Sequence, residues 1–487
     1  KSLSLSAPGG LPTEVWPYYN LQWRDKGVIA VIGWPGQWTA EFERQGPIGL
    51  RVSAGQKNTH FVLHPGEEVR TPLIALQFYQ GDWLRAQNIW RRWMLAYNVP
   101  RPSGQLPPPH FRISGFALFG YVNVNEENQK ELISRALEER LNPDYLHIDA
   151  GWYDCKGNWG TFGSWQPDPV RFPNGLRAVS DYAHERGVKT LAWFVPEVAH
   201  PGTWLAVNHP DWFEAGSIKF GDPVAWKGIT DHIDSIIKEQ KLDCYRQDFA
   251  GSWTSDPPDR LGMNENKYVT GMIKFYDELL RRNPDLLIDM CSGGGRRNEL
   301  EAMRRSIPLW YSDNIGNTTA MQGKTYGISY WLPCFGTMVG TTAYEFRSRM
   351  SPYIIMDIDL RRPDMNYDEL RRLLEQWRTI SAYYLGDYYP LTPYSITEDT
   401  WIGWQFDRPD LGSGMVQVMA RKDSYYERAR FKLSGLEEKN IYKVIDLDRP
   451  DQIQELTGQE MMTKGIPIEI TEKPAAVVVT YQQLGKP

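Results

Sequence analysis

Cysteine is scarce in this sequence. The 487 residues hold four, Cys155, Cys244, Cys291 and Cys334, too few and too scattered for a disulfide framework, and no C-x-x-C pair occurs, which argues against zinc-ribbon and dithiol chemistry. Histidine is also thin: the eight are spread without His-Glu-x-x-His spacing or clustered acidic partners. No catalytic metal and no cofactor are therefore expected. Long apolar runs are missing, none reaching the roughly 18 residues of a membrane span. The beginning lacks the basic-then-apolar pattern of a signal peptide, although the chain starts at Lys1 rather than Met, so compartment stays open. Runs of Lys or Arg are absent and the net charge is −6, which leaves no electrostatic footprint for nucleic acid or an anionic membrane. The glycine fingerprints that cradle dinucleotides and phosphates are absent as well.

What is abundant is aromatic. Phe, Trp and Tyr make up 13% of the chain, with 20 Trp, and indole faces suit the C–H faces of sugar rings. Length predicts a barrel-sized unit with smaller companions. Residues 1–105 read as an N-terminal β-domain and linker, with the run Val28-Ile29-Ala30-Val31-Ile32, a Gly33-Trp34-Pro35-Gly36-Gln37-Trp38 segment and one helix around Trp83 to Tyr97. Trp34 and Trp38 are expected in its core, with one of them as a candidate cap on a pocket. Pro100, Pro102, Pro107, Pro108 and Pro109 mark a boundary.

Residues 106–392 alternate short apolar strands with amphipathic helices. Strands are expected at Phe111–Leu118, Asp144–Asp149, Val188–Phe194, Leu242–Asp248, Leu286–Met290 and Pro308–Asp313, with weaker ones near Ser329–Cys334 and Tyr353–Asp357. Ile229, Ile233, Ile236 and Ile237 share one helix face, as do Leu370, Leu373, Leu374 and Trp377, and Gly187 reads as a helix C-cap. Eight such alternations predict a (β/α)8 barrel; an open doubly wound sheet is the alternative, disfavoured by the missing glycine fingerprints. Residues 393–487 return to strand alternation, as in Gly414–Ala420 and Ala475–Tyr481, and predict an antiparallel β-sandwich.

In such a barrel, chemistry gathers at the C-terminal ends of strands. Asp149, Asp248 and Asp313 each close an apolar run, and Glu197 follows a fourth. Any one of them could instead cap the next helix, but several converge. Asp248 and Asp313, on the fourth and sixth strands, can face each other across the mouth, and two carboxyl groups about 5–5.5 Å apart suit double-displacement glycoside hydrolysis. Arg246, two residues before Asp248, is expected to hold Asp248 ionised, and Asp248 to raise the pKa of Asp313. Asp248 then serves as nucleophile and Asp313 as general acid/base.

Seven motifs in order carry a resemblance: Ile148-Asp149-Ala150-Gly151-Trp152, Arg171-Phe172-Pro173-Asn174-Gly175-Leu176, Trp193-Phe194-Val195-Pro196-Glu197, His209-Pro210-Asp211-Trp212, Arg246-Gln247-Asp248, Cys291-Ser292-Gly293-Gly294-Gly295-Arg296 and Trp310-Tyr311-Ser312-Asp313-Asn314. The sequence resembles glycoside hydrolase family 36, the melibiase or α-galactosidase group. The resemblance implies a retaining exo-α-glycosidase acting on terminal galactose-type residues of an oligosaccharide or glycoconjugate, and it leaves a homo-oligomer open. It implies an N-terminal sandwich usually longer than the segment present here.

Residue by residue, the resemblance implies Asp248 as nucleophile, Asp313 as acid/base and Asp149 on the sugar's axial O4. It places Trp193 in the platform under the ring, Cys291 and Gly294 near O2, and Arg297 or Arg296 in support of the glycine-rich loop. That loop also reads as a tight turn after the fifth strand. Two departures bear on the sugar. Ala150 stands where a second aspartate usually reaches O6, so that contact is lost or supplied by Asp154 or Trp152. Arg246 stands at the motif's lysine, a planar fork in place of a point charge at a substrate-binding position. These features resemble the branch with α-N-acetylgalactosaminidases and α-galactosaminidases. A raffinose-extending transglycosylase and a non-catalytic sugar-binding barrel are the remaining alternatives, the last disfavoured by the paired aspartates.

Overall fold

The computed structural model describes residues 2–7 and 9–485. Its centre is a parallel sheet whose neighbours run Leu287–Met290, Cys244–Gln247, Lys189–Phe194, Tyr145–Ile148, His110–Ser114, Tyr353–Asp357 and Gly336–Met338. In chain order these are barrel strands five, four, three, two, one, eight and seven. The first pairs with the eighth, Ser114 lying opposite Asp357.

The sixth position is filled by residues 307–311, which close the ring without forming a regular strand. Ile307 bridges Asp289 and exchanges hydrogen bonds with Ile288 and Met290 on one side, while Pro308 O accepts from Gly336 N at 2.8 Å on the other. Pro308 explains the irregularity, because it has no N–H to give the ladder. The next donor, Leu309 N, is taken by the Asp289 carboxylate at 2.9 Å.

Two other expected strands sit differently. The first stops at Ser114, where Gly115 leads into a single helical turn, Phe116–Phe119. The seventh is Gly336–Met338 rather than Ser329–Cys334. Residues 329–334 carry the chain away from helix Thr318–Ile328, and their apolar side chains serve another contact: Trp331 packs on Tyr18 and its carbonyl accepts from the Trp90 indole.

The helices follow the expected spacing. Pro223–Glu239, capped by Asp222 with Pro at its first position, buries Ile229, Ile233, Ile236 and Ile237. Tyr367–Ile380 buries Leu370, Leu373, Leu374 and Trp377. Gly187, at φ +74°, ends helix Arg177–His184 in a Schellman turn, with Val188 N donating to Ala183 O at 3.0 Å and Gly187 N to His184 O at 3.0 Å.

Before the barrel lie two three-stranded antiparallel sheets and helix Trp83–Trp93, which continues as a π-turn over Met94–Asn98. Trp34 and Trp38 are fully buried there, their indole N–H groups on Glu265 and on Pro12 O, so neither caps a pocket. After the barrel, a six-stranded antiparallel sheet is faced by the pair Arg428–Phe431 and Ile466–Glu469. Val416, Val418, Phe431, Ile466, Ile468 and Val479 fill the sandwich between them. The edge strand of this sheet, Asp387–Pro390, lies ahead of the expected boundary at 393, because Asp387 pairs with Asp407. Among the described residues no helix is long and apolar enough to cross a membrane.

Candidate active site

The barrel interior is not a purely apolar stack. Arg112, His147, Arg246 and Asp289 are buried in it, and Arg246 Nη1 donates to Asp289 Oδ2 while Arg112 Nη1 lies 4.0 Å from the same carboxylate. Burial holds the His147 pKa down to about 4, more than offsetting the Asp149 carboxylate that favours protonation. A neutral imidazole fixes the tautomer: Nδ1 accepts from Arg112 Nη1 at 3.2 Å and Nε2–H donates to Asp149 Oδ2 at 2.9 Å. Asp149 also accepts from Ala150 N at 2.8 Å and has Arg246 Nε at 3.7 Å. Burial alone would raise its pKa, but the His147 hydrogen bond and the Arg246 charge outweigh it, and the net shift is downward.

Asp248 leaves the end of the fourth strand with three donors on its carboxylate. Oδ1 accepts from Phe249 N at 2.7 Å and Gly293 N at 2.6 Å; Oδ2 accepts from the Trp193 indole at 3.0 Å. Phe249 follows at φ +50°, a left-handed backbone uncommon for an aromatic residue, and remains exposed. Arg246 is not a direct partner of Asp248. Its fork is committed to Asp289 and turned toward Asp149, and it acts on Asp248 only through space.

Asp313 is exposed at the end of the sixth segment and accepts from the Trp310 indole at 2.8 Å. Gly294, at φ +76°, lies against it: a Cβ there would come within 2.6 Å of Asp313 Cγ and of its backbone N. Gly293 holds Asp248 and Gly294 abuts Asp313, so the two carboxylates flank one two-residue turn whose Cα atoms are about 3.8 Å apart. Gly294→Ala is expected to displace Asp313 and lower kcat about 100-fold with the thermal midpoint little changed, checked by kinetics and calorimetry on one preparation.

The glycine turn is braced from outside the barrel. Arg296 Nε donates to Gly293 O at 2.8 Å and its fork reaches Glu14; Thr13 Oγ1 donates to Gly295 O at 3.1 Å and accepts from Asn298 N. The loop after Asp248 is held by Glu197, whose carboxylate accepts from Gln247, Gly251 N, Tyr268 and Arg297. Glu197 and Arg297 are both fully buried, and Arg297 also reaches Gly10 O at 3.0 Å. Arg297→Met strands a buried carboxylate and is expected to cost about 3–5 kcal/mol of stability, read from urea unfolding. Adding Glu197→Gln should return part of it.

A family model described as Melibiase matches residues 119–356. Over this stretch, which spans most of the barrel, the chain is similar to glycoside hydrolase family 36. It is 24% identical over 475 residues to alpha-galactosidase Mel36A of Lactobacillus acidophilus, covering 90% of this chain and 63% of that protein. To alpha-galactosidase AgaA of Geobacillus stearothermophilus it is 22% identical over 467 residues, covering 88% and 62%. The chain thus spans less than two thirds of the length of these relatives. The crystal structure of AgaA superposes with a TM-score of 0.84 at 18% identity, over 99% of this chain and 72% of that one. A doubly substituted AgaA is also known in complex with raffinose. This likeness establishes the fold, a (β/α)8 barrel with β-domains at both ends.

Of the residues matching family 36 motifs, Asp149, Arg246, Asp248, Cys291, Gly294 and Asp313 gather around the mouth. Cys291 is buried in its floor beside Trp310 and Ile355, and burial pushes its thiol pKa well up. Trp193 is 1% exposed, covered by Phe162 at 5.5 Å and Phe249 at 6.2 Å; it meets the mouth through its indole N–H rather than as an open platform. Trp152 is fully buried, its N–H on Trp193 O at 2.8 Å, and Asp154 pairs with Lys156 at the surface, so neither replaces the contact missing at Ala150. Arg297 is a brace, with no exposed surface to offer a ligand.

Several groups at the mouth are not singled out by the sequence: Gly293 N, the Trp310 indole, Phe249 and a pair of aromatic walls. Tyr121 packs on Trp159 at 4.6 Å and stacks on Phe116 at 5.7 Å. Its hydroxyl is pushed up to about 12, by burial first and then by the charges of Asp149, Asp248, Asp313 and Asp357. Trp310 and Gly293 lie inside the seven family motifs. Tyr121 carries no such signal, because it sits in a loop beyond the end of its strand.

Proposed function

We propose that this chain is a family 36 member, a retaining exo-α-glycosidase that hydrolyses terminal α-linked galactose-type residues of oligosaccharides or glycoconjugates by double displacement. The observation that carries the reading is the pair of strand-end aspartates on either side of the Gly293–Gly294 turn, one saturated with donors and the other not. Asp248 accepts three N–H groups, which fix the orientation of its carboxylate at the mouth. Asp313 has the Trp310 indole and open solvent, the setting for a group that must give and regain a proton.

Oδ2 of Asp248, with one hydrogen bond against two on Oδ1, is the attacking oxygen. It bonds to the anomeric carbon as the C1–O bond to the aglycone breaks, and Asp313 delivers its proton to the departing oxygen. Asp313, now ionised, takes a proton from water; the water oxygen bonds to C1 and Asp248 leaves as carboxylate. Two inversions give net retention. Asp149, kept ionised and oriented by neutral His147, serves as an acceptor for a sugar hydroxyl, and Arg246, anchored on Asp289, presents its remaining N–H edge to the same sugar.

A parallel assay with aryl α-galactoside, α-N-acetylgalactosaminide, α-galactosaminide and β-L-arabinopyranoside tests the substrate class. The α-galactoside should show the highest kcat/KM. Turnover of none of the four would overturn the reading, and preference for a 2-amino or 2-acetamido sugar would move it to the neighbouring specificity.

A further inference from the structure

The second, fourth, sixth and eighth barrel segments all deliver an aspartate to the same end of the barrel: Asp149, Asp248, Asp313 and Asp357. In a (β/α)8 barrel, alternate strands contribute side chains to a common layer, and the Tyr121 hydroxyl senses the charge of all four. Three have a protein partner suited to their part in the proposed chemistry. Asp149 has His147 and Arg246, Asp248 has three N–H groups, and Asp313 has the Trp310 indole.

Asp357 does not fit that pattern. Its two oxygens take Ala117 N at 3.1 and 3.4 Å, with the backbone N–H of Phe116 also directed at the carboxyl, and among the described residues no Lys, Arg or His pairs with it. Burial, with Asp149 adding to it and the Ala117 and Phe116 N–H groups opposing, lifts its pKa to about 7. A half-buried carboxyl with spare hydrogen-bonding capacity at the rim of a sugar site is set up to meet a ligand hydroxyl.

The place of that hydroxyl follows from the ring of strands. With C1 held between Asp248 and Asp313, on the fourth and sixth positions, a pyranose turns its far side, C4 and C5 with the exocyclic C6 arm, toward the second, first and eighth. Asp149 and Asp357 stand at two of those three positions, and Ser114 and the Phe116 turn occupy the one between. Ala150, beside Asp149, has no polar side-chain atom to offer. We propose that Asp357 is a specificity-determining residue that binds the hydroxymethyl oxygen of the terminal hexose. The assignment rests on the glycosidase reading above and deepens it: the substrate is a hexoside with a free 6-hydroxyl rather than a pentoside or a 6-deoxy sugar.

The experiment compares wild type, Asp357→Ala and Asp357→Asn on 4-nitrophenyl α-D-galactopyranoside, the 6-deoxy α-D-fucopyranoside and β-L-arabinopyranoside, which is the same ring without the hydroxymethyl group. Asp357→Ala should lower kcat/KM for the galactoside about 10- to 100-fold and leave the other two within about threefold, with Asp357→Asn between. Equal losses on all three would assign Asp357 a structural role and overturn the proposal, as would no loss on any. Wild type inactive toward all three would overturn the glycosidase reading and this one with it. The selectivity ratio is independent of how much of a variant folds, so a poorly folding Asp357→Ala still separates these outcomes.

Discussion

Asp248→Asn is expected to reduce kcat by on the order of 10⁴-fold or more for every glycoside the enzyme cleaves, whatever the leaving group. The reason is local. An amide has no charge to place on the anomeric carbon, and its NH2 cannot accept the Trp193 indole N–H that Oδ2 now accepts. Oδ1 can still take the Gly293 and Phe249 N–H groups, so the turn and the fold should survive. Stopped-flow and steady-state assays with an activated aryl glycoside, beside a calorimetric melt, check both halves. Activity within about tenfold of wild type would remove Asp248 from the nucleophile's place, since a positioned nucleophile is worth far more than that.

The second large effect depends on the leaving group. Asp313→Asn should cost about 10²–10⁴-fold on an alkyl or oligosaccharide glycoside, where the departing oxygen needs a proton, and far less in the first step on a dinitrophenyl glycoside, where it does not. The glycosyl-enzyme should then accumulate, because water activation has also lost its base, and a pre-steady-state burst of phenolate should appear. Uniform losses across leaving groups, with no burst, would instead point to a role in binding. Asp313 is well placed for such a swing between acid and base. It is exposed, carries one indole hydrogen bond and lies against Gly294, whose missing Cβ makes room for it.

The aspartates at the barrel mouth are legible in the sequence because strand ends are. An apolar run of four or five residues closing on a carboxylate has few meanings in a barrel, and Asp149, Asp248 and Asp313 all show it. Asp357 shows it too, after Tyr353-Ile354-Ile355-Met356, but lies outside the seven family motifs. What a sequence does not disclose is which way a side chain turns once its strand has ended. Arg296 and Arg297 are adjacent in one glycine-rich loop; one braces the turn from the surface and the other is sealed against Glu197. Trp152 and Trp193 are both buried, yet only the second aims its indole N–H at the mouth, on Asp248, while the first spends its own on the second's backbone. A shared strand face predicts that Arg246 acts on Asp248, yet the neighbouring strand supplies a closer anion in Asp289, opposite Arg246 in register. The sixth strand reads as regular from its apolar pattern, and only the pairing shows that Pro308 and the Asp289 carboxylate replace its ladder.

The most direct test of the Asp248 and Asp313 assignment is the stereochemistry of azide rescue in the two alanine variants, read by proton NMR of the glycosyl azide formed from an activated aryl α-galactoside. Asp248→Ala should regain turnover with azide and give the β-azide, because azide attacks once from the face the carboxylate left. Asp313→Ala should give the α-azide, because Asp248 still forms the covalent intermediate that azide then opens. The reverse pattern, or the same anomer from both, would contradict the roles assigned to the two aspartates.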